Sequence, residues 1–153
     1  IQNLNVMKTK EQIKDAAQTT FRNHLEFLSS GQIEKWVDLF DENGILEFPY
    51  GPSDFPNLVK GKTELYEYMK NFPKHFLVTF ENLHLHATES PNLVIAEFTS
   101  NGKAISTGKP YCQQYISVVT TDDDGKILKY VDFWNPMVAL EAINAPLSNF
   151  VNN

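Results

Sequence analysis

The segment Lys126-Ile-Leu-Lys-Tyr-Val-Asp-Phe-Trp-Asn135 reads as a β-strand that Pro136 stops. Alternation places Leu128, Tyr130, Asp132 and Trp134 on one face. An acid among aromatics on a sheet face has two fates. At a sheet edge, solvated, Asp132 is an ordinary carboxylate. In an apolar pocket its pKa rises, and it can move protons near neutral pH.

Outward from this strand, period-two patterning predicts three more at about 77–88, 93–106 and 110–121. Asn101-Gly102 and Thr107-Gly108 mark turns or bulges between or within them. The N-terminal half follows a helical period instead. Ile13, Ala17, Phe21, His24 and Leu28 form one stripe of a helix over Thr9–Ser30, which Gly31 ends. A short helix over Gln32–Phe40 buries Ile33, Trp36, Val37 and Phe40; Asp41-Glu-Asn-Gly44 reads as a turn, and Ile45–Pro49 as a short strand. Pro52 and Pro56 make 51–57 a loop. A third helix spans Lys62 to about Phe72 and stops at Pro73, and Pro136–Ile143 reads as a last helical turn. Helices followed by a run of antiparallel strands mean α+β, with the helices on one sheet face. A curved sheet closing over a long helix makes a cone whose open end is a natural apolar pocket. One domain covers 1–153, with a core over about 10–143 and a polar, loose tail over 144–153.

The composition limits the partners. The 153 residues are 42% hydrophobic and 21% charged, enough for one real core, and the net charge of −6 argues against nucleic acid. No run approaches the length of a membrane span, and Ile1–Val6 carry no cationic segment leading into an apolar one, so neither membrane nor signal peptide is expected and the cytoplasm is the default. Asp122-Asp123-Asp124 precedes Gly125 and reads as a solvated hairpin turn. Cys112, the single cysteine, lacks an activating base beside it and reads as a buried small apolar residue. No glycine-rich phosphate loop or metalloprotease-type histidine pair occurs, so no cofactor and no metal is expected.

Four stretches carry a family resemblance: 30–44, Leu46-Glu-Phe-Pro-Tyr-Gly51, Val59-Lys-Gly-Lys-Thr-Glu-Leu65, and 125–136 with its closing Tyr-Val-Asp-Phe-Trp-Asn-Pro, preceded by Gly108-Lys-Pro-Tyr111. Together they resemble the nuclear-transport-factor-2-like (cystatin-like) α+β cone superfamily, and within it the SnoaL-like proteins, which are related to ketosteroid isomerases and phenazine-biosynthesis A/B proteins. The resemblance implies a cone-shaped curved antiparallel sheet wrapped around the N-terminal helix. It also implies a homodimer through the sheet face opposite the helices, to which Leu83 and Leu85 would contribute apolar area. The isomerases' general-base aspartate matches Phe48, their first-helix tyrosine matches His24 and their second oxyanion donor matches Ser117, so that mechanism is not retained. The phenazine proteins' strand glutamate matches Asp132, while their helical histidine falls near Glu64.

These readings nominate a site. Asp132 is the candidate proton-transfer group, against a plain hydrogen-bonded strand-end acid. His24, on the apolar stripe, is its catalytic partner or else a structural buried histidine. Tyr115, Gln113 and Ser117 share a strand face with Tyr111 and would supply polar contacts to a ligand, while Tyr130, Trp134, Phe48 and Tyr50 would wall the pocket. His84 and His86 lie on the face opposite Leu83, Leu85 and Ala87 and read as solvent- or partner-facing rather than metal-binding. The expected function is a cofactor-free cyclase, isomerase or lyase working next to the carbonyl of a small, largely apolar molecule. The alternatives are a non-catalytic binder of such a ligand and a dimeric interaction module without a working pocket.

Overall fold

A computed structural model describes residues 7–144. Thr9 opens helix α1 (Lys10–Ser29) with a capping box: its hydroxyl accepts from the Gln12 amide, and the Gln12 side chain returns to the Thr9 N–H. The predicted stripe is the buried face, and Phe21 at its centre is fully enclosed. Gly31 ends the helix at φ +73, a conformation that costs a residue bearing Cβ. Helix α2 (Ile33–Val37) follows, then strands β1 (Phe40–Glu47) and β2 (Leu58–Lys60), and helices α3 (Lys62–Met69) and α4 (Phe72–His75). Long strands β3 (Phe76–His86), β4 (Leu93–Ala104), β5 (Gln114–Thr121) and β6 (Ile127–Phe133) complete the sheet, and α5 (Pro136–Ala142) closes the described chain.

The six strands run in the order β2-β1-β6-β5-β4-β3. All neighbours are antiparallel except β1 and β6, which pair in parallel. Register breaks between Glu81 and His84, between Thr120 and Thr121, and between Phe40 and Ile45 bend the strands. The curved, unclosed sheet that results holds α1 in its concavity, with Phe21 against Phe98 and Tyr130. The α+β cone is therefore the architecture of this chain.

Several local readings are corrected. Asp41–Gly44 belongs to β1, at the break in its pairing with β6. β2 was not anticipated; only Val59 of its three residues is buried. Pro73 lies in the first turn of α4 instead of ending α3, because a proline lacking N–H costs nothing there. Leu128 is exposed and leaves the face of Tyr130 and Asp132: Thr121 pairs with Ile127 but Thr120 with Lys129, and this bulge turns Ile127 inward in its place. Leu85 packs on the core, since the bulge at Asn82 (φ 57) reverses the parity of β3. Cys112 is exposed. The aspartate trio does form the β5–β6 turn, where Asp122 accepts from the amides of Asp124 and Lys126. The expected loose tail, apart from Asn144, lies outside the described residues. No described helix is long and apolar enough to cross a membrane.

Candidate active site

The concave face of the sheet and helices α1, α3, α4 and α5 enclose a cavity of about 470 Å³. Its wall is mostly aromatic. Phe48 stands edge-on to Trp134 and tilted against Tyr68, at 5.9 and 5.4 Å between ring centres. Tyr115 stacks on Phe98, and Tyr111 packs on Phe76. Among the described residues, the wall carries one carboxyl, Asp132, and no lysine or arginine.

Asp132 sits opposite Ser117 in the β5–β6 register, and the Ser117 hydroxyl donates to its Oδ1 at 3.0 Å. Burial among the aromatics drives its pKa up to about 7, and the Ser117 bond opposes that rise only in part. The carboxyl keeps partial access to the cavity. Of the two fates open to an acid on this strand, the enclosed one holds.

His24 is 5% exposed, and both of its ring nitrogens are engaged by protein. The Trp36 indole N–H donates to Nδ1 at 2.6 Å, and the Tyr130 hydroxyl lies 3.0 Å from Nε2. Desolvation lowers its pKa to about 3, so the ring stays neutral across ordinary pH. His24 therefore meets Asp132 only through Tyr130 and Ser117, which are bonded to each other at 2.8 Å. It has no nitrogen left for a ligand, so its ring does not act on a substrate directly.

The remaining nominated residues divide. Tyr115, Tyr130, Trp134 and Phe48 line the cavity. Ser117 is fully buried behind it and touches Asp132 rather than the open space. Gln113 is 1% exposed and clamps the chain before α5: its Nε2 donates to the Asn135 carbonyl at 2.7 Å, and its Oε1 accepts from the Asn135 amide at 2.9 Å. Asn135 in turn caps α5, whose Ala139 reaches the cavity wall. Tyr50 is 62% exposed and packs on Phe133 at the outer surface, because the chain turns away after Phe48. Gln113, Ser117 and Tyr50 are thus not part of the cavity wall.

Two further phenols are part of it, Tyr111 from the polar strand face read in the sequence and Tyr68, which that reading missed. Tyr68 comes from α3, and Tyr111 from the segment before β5. Burial pushes both up to about 12, with Asp132 adding to each rise. Tyr115 is raised as well, again chiefly by burial. All three are neutral hydroxyls near one carboxyl. Tyr68 was missed because it looked like any member of an apolar helix stripe.

The geometry agrees with what the chain resembles. A family model of the SnoaL-like domain matches residues 21–130. The uncharacterized protein YesE of Bacillus subtilis is 41% identical over 124 residues, 80% of this chain and 84% of the relative. An uncharacterized PhzA/B-like protein of Pseudomonas aeruginosa is 41% identical over 119 residues, 78% of this chain and 84% of the relative. Among crystal structures, a Bacillus subtilis protein proposed to be an isomerase superposes with a TM-score of 0.83 at 36% identity, covering 91% of this chain and 98% of its own. A phenazine biosynthesis-related protein of Pseudomonas aeruginosa gives 0.75 at 21% identity, covering 95% and 91%, and shares the fold. With its family match over most of the chain and its cone built as in these relatives, the protein belongs to the SnoaL-like domain family of the nuclear-transport-factor-2-like fold.

Proposed function

We infer that the cavity binds a small, neutral, largely apolar or aromatic carbonyl compound and that Asp132 moves a proton at the carbon beside the carbonyl. The observation that carries this reading is the position of Asp132 as the sole carboxyl, among the described residues, on an aromatic wall. A carboxyl with a pKa near 7 is matched to both halves of a proton transfer at neutral pH. Tyr68, Tyr111 and Tyr115, un-ionised and close enough to feel its charge, supply hydroxyl donors for the developing oxyanion. The absence of any cationic side chain from the described wall favours an uncharged ligand. The reaction class is an isomerisation, cyclisation or elimination that begins with enolisation and uses no cofactor.

The probe is 2-tetralone, an aromatic ketone small enough for a cavity of about 470 Å³. In D₂O, the protein is expected to accelerate deuterium uptake next to its carbonyl, with a rate that rises through pH 7. Asp132→Asn is expected to lower that rate by about 10²-fold or more. An unchanged rate in the variant removes Asp132 from the role. Binding of the ketone without any acceleration reduces the site to a non-catalytic pocket.

The sheet's outer face supports the expected homodimer. Ile95, Val118 and Val131 lie side by side in register there, beside the Ile116–Phe133 pair. Sedimentation showing a monomer at micromolar concentration would remove that expectation.

A further inference from the structure

Four residues stand in file behind Asp132, and one of them can only donate. The Trp36 indole N–H has no acceptor capacity, and it points at His24 Nδ1. Nδ1 of a neutral ring that accepts must be bare, so the ring's single proton is on Nε2. Nε2–H then donates to Tyr130 Oη, 3.0 Å away. With that bond accepted, the Tyr130 hydroxyl hydrogen is free for Ser117 Oγ at 2.8 Å. Ser117 has one hydrogen of its own, and it goes to Asp132 Oδ1 at 3.0 Å. Every link has its direction imposed by the link before it. Trp36, Tyr130 and Ser117 are at most 1% exposed and His24 5%, so water does not compete for these bonds.

We propose that Trp36, His24, Tyr130 and Ser117 form a one-way hydrogen-bond file that keeps Asp132 Oδ1 a permanent acceptor, so that the carboxyl takes up and releases its proton through Oδ2 alone. Ser117 is the one donor to this carboxyl among the described side chains, and no buried polar atom of theirs lacks a partner, so Oδ2 opens to the cavity. The four residues are positioning residues, since none delivers the proton to a ligand. Asp132 would otherwise carry its proton on either oxygen, and the file selects the one aimed at the open space. The inference rests on the reading of Asp132 as the proton-transfer group. The other titratable groups facing that carboxyl are Tyr68 on α3, Tyr111 and Tyr115 before and on β5, and Tyr130 on β6, and burial holds all four phenols neutral. Among the described residues, His75, at the end of α4, is the remaining titratable group on the cavity wall and is exposed to solvent.

Nitrogen-15 NMR of the unmodified protein tests the direction of the file without any ligand. The expected His24 signal is that of a neutral ring protonated on Nε2, constant from pH 5 to 8. A ring protonated on Nδ1 overturns the proposal. Carboxyl carbon-13 titration then follows Asp132. Ser117→Ala removes the terminal donor and is expected to raise the Asp132 midpoint by about one pH unit, while Ser117→Thr restores it. Trp36→Phe keeps an aromatic ring, though a smaller one, and removes the indole N–H, which frees Nδ1, and a mixture of His24 tautomers is expected. Unchanged His24 nitrogens in Trp36→Phe, or an unmoved Asp132 midpoint in Ser117→Ala, also overturn it. The two readings fail separately. A file intact by NMR alongside an Asp132→Asn variant that still exchanges the ketone at full rate refutes the site but not the file. Loss of exchange in that variant with an Nδ1-protonated His24 refutes the file but not the site.

Discussion

Replacing Asp132 with asparagine should stabilise the fold, by an amount that grows as pH rises from about 4 to about 7 and is flat above it. The carboxyl titrates near its ordinary 3.8 in the unfolded chain and at about 7 in the folded one. Between those values the folded state holds more protons than the unfolded state, so stability falls as pH rises through the window. The full gap corresponds to about 4 kcal/mol, and partial access of the carboxyl to the cavity trims it to about 2–3 kcal/mol. Asparagine keeps the shape and the acceptor for Ser117 but never ionises. Relative to the native chain, Asp132→Asn should therefore gain about 2–3 kcal/mol between pH 4 and pH 8, or roughly 5–10 °C in melting temperature for a chain of this size. His24 works in the opposite sense. Its folded pKa of about 3 lies below its ordinary 6.5, so its contribution is complete above pH 6.5 and is lost as pH falls toward 3. The two slopes offset one another in the native chain between about pH 4 and 6.5. In the variant the His24 slope is uncovered, and acid should destabilise it steadily over that range. Circular dichroism melts of both proteins from pH 4 to 8 give the answer. Parallel curves would refute the reasoning, because they would mean that Asp132 ionises in the folded state as readily as in water.

Three further outcomes follow from the same geometry. Gln113→Ala should cost about 2–4 kcal/mol in denaturant unfolding, because it leaves the amide and carbonyl of Asn135 without their partners. A mutant within about 0.5 kcal/mol of the parent would show that water replaces the clamp. Gly102→Ala should disrupt β3–β4 pairing and lower the melting temperature sharply, since its methyl would fall 2.0 Å from the Leu77 carbonyl oxygen and 2.8 Å from Val78 Cα, and backbone there cannot step aside; near-native melting would contradict that close approach. Tyr50→Ala should leave 2-tetralone affinity within about twofold, whereas Trp134→Ala should weaken it by about tenfold or more, as isothermal titration would show.

The sequence was most legible where one physical signal acted alone. The 3.6-residue stripe and the Gly31 stop gave α1 nearly to the residue, and alternation gave the four long strands and the face of Asp132. Errors fell where two signals competed. Asp41-Glu-Asn-Gly44 has turn composition, yet strand pairing resumes around it once the ladder with β6 skips. Leu128 obeyed the alternation on paper, but a bulge depends on the partner strand and leaves no trace in the residue itself. Gln113 has the chemistry of a ligand contact, and a backbone segment twenty-two residues on claimed both ends of its amide. Whether Asp132 was dry could not be read from one strand, because α1, α3 and the cavity-facing phenols dry it together.

The parallel pairing of β1 with β6 has a consequence for how the chain comes into being. Phe40 cannot find its neighbour until Ile127 has been made, and the Thr20 hydroxyl of α1 waits equally long for the Gly125 carbonyl. On the ribosome, α1 and β1 emerge early with their apolar faces uncovered, and the last long strand to be synthesised lies between β1 and β5. Closure of so distant a contact makes for slow folding and a nascent intermediate with open strand edges. The strand that completes the sheet also carries Asp132, so a truncated or stalled product lacks its carboxyl and its core together, and a chain that has acquired one has acquired both.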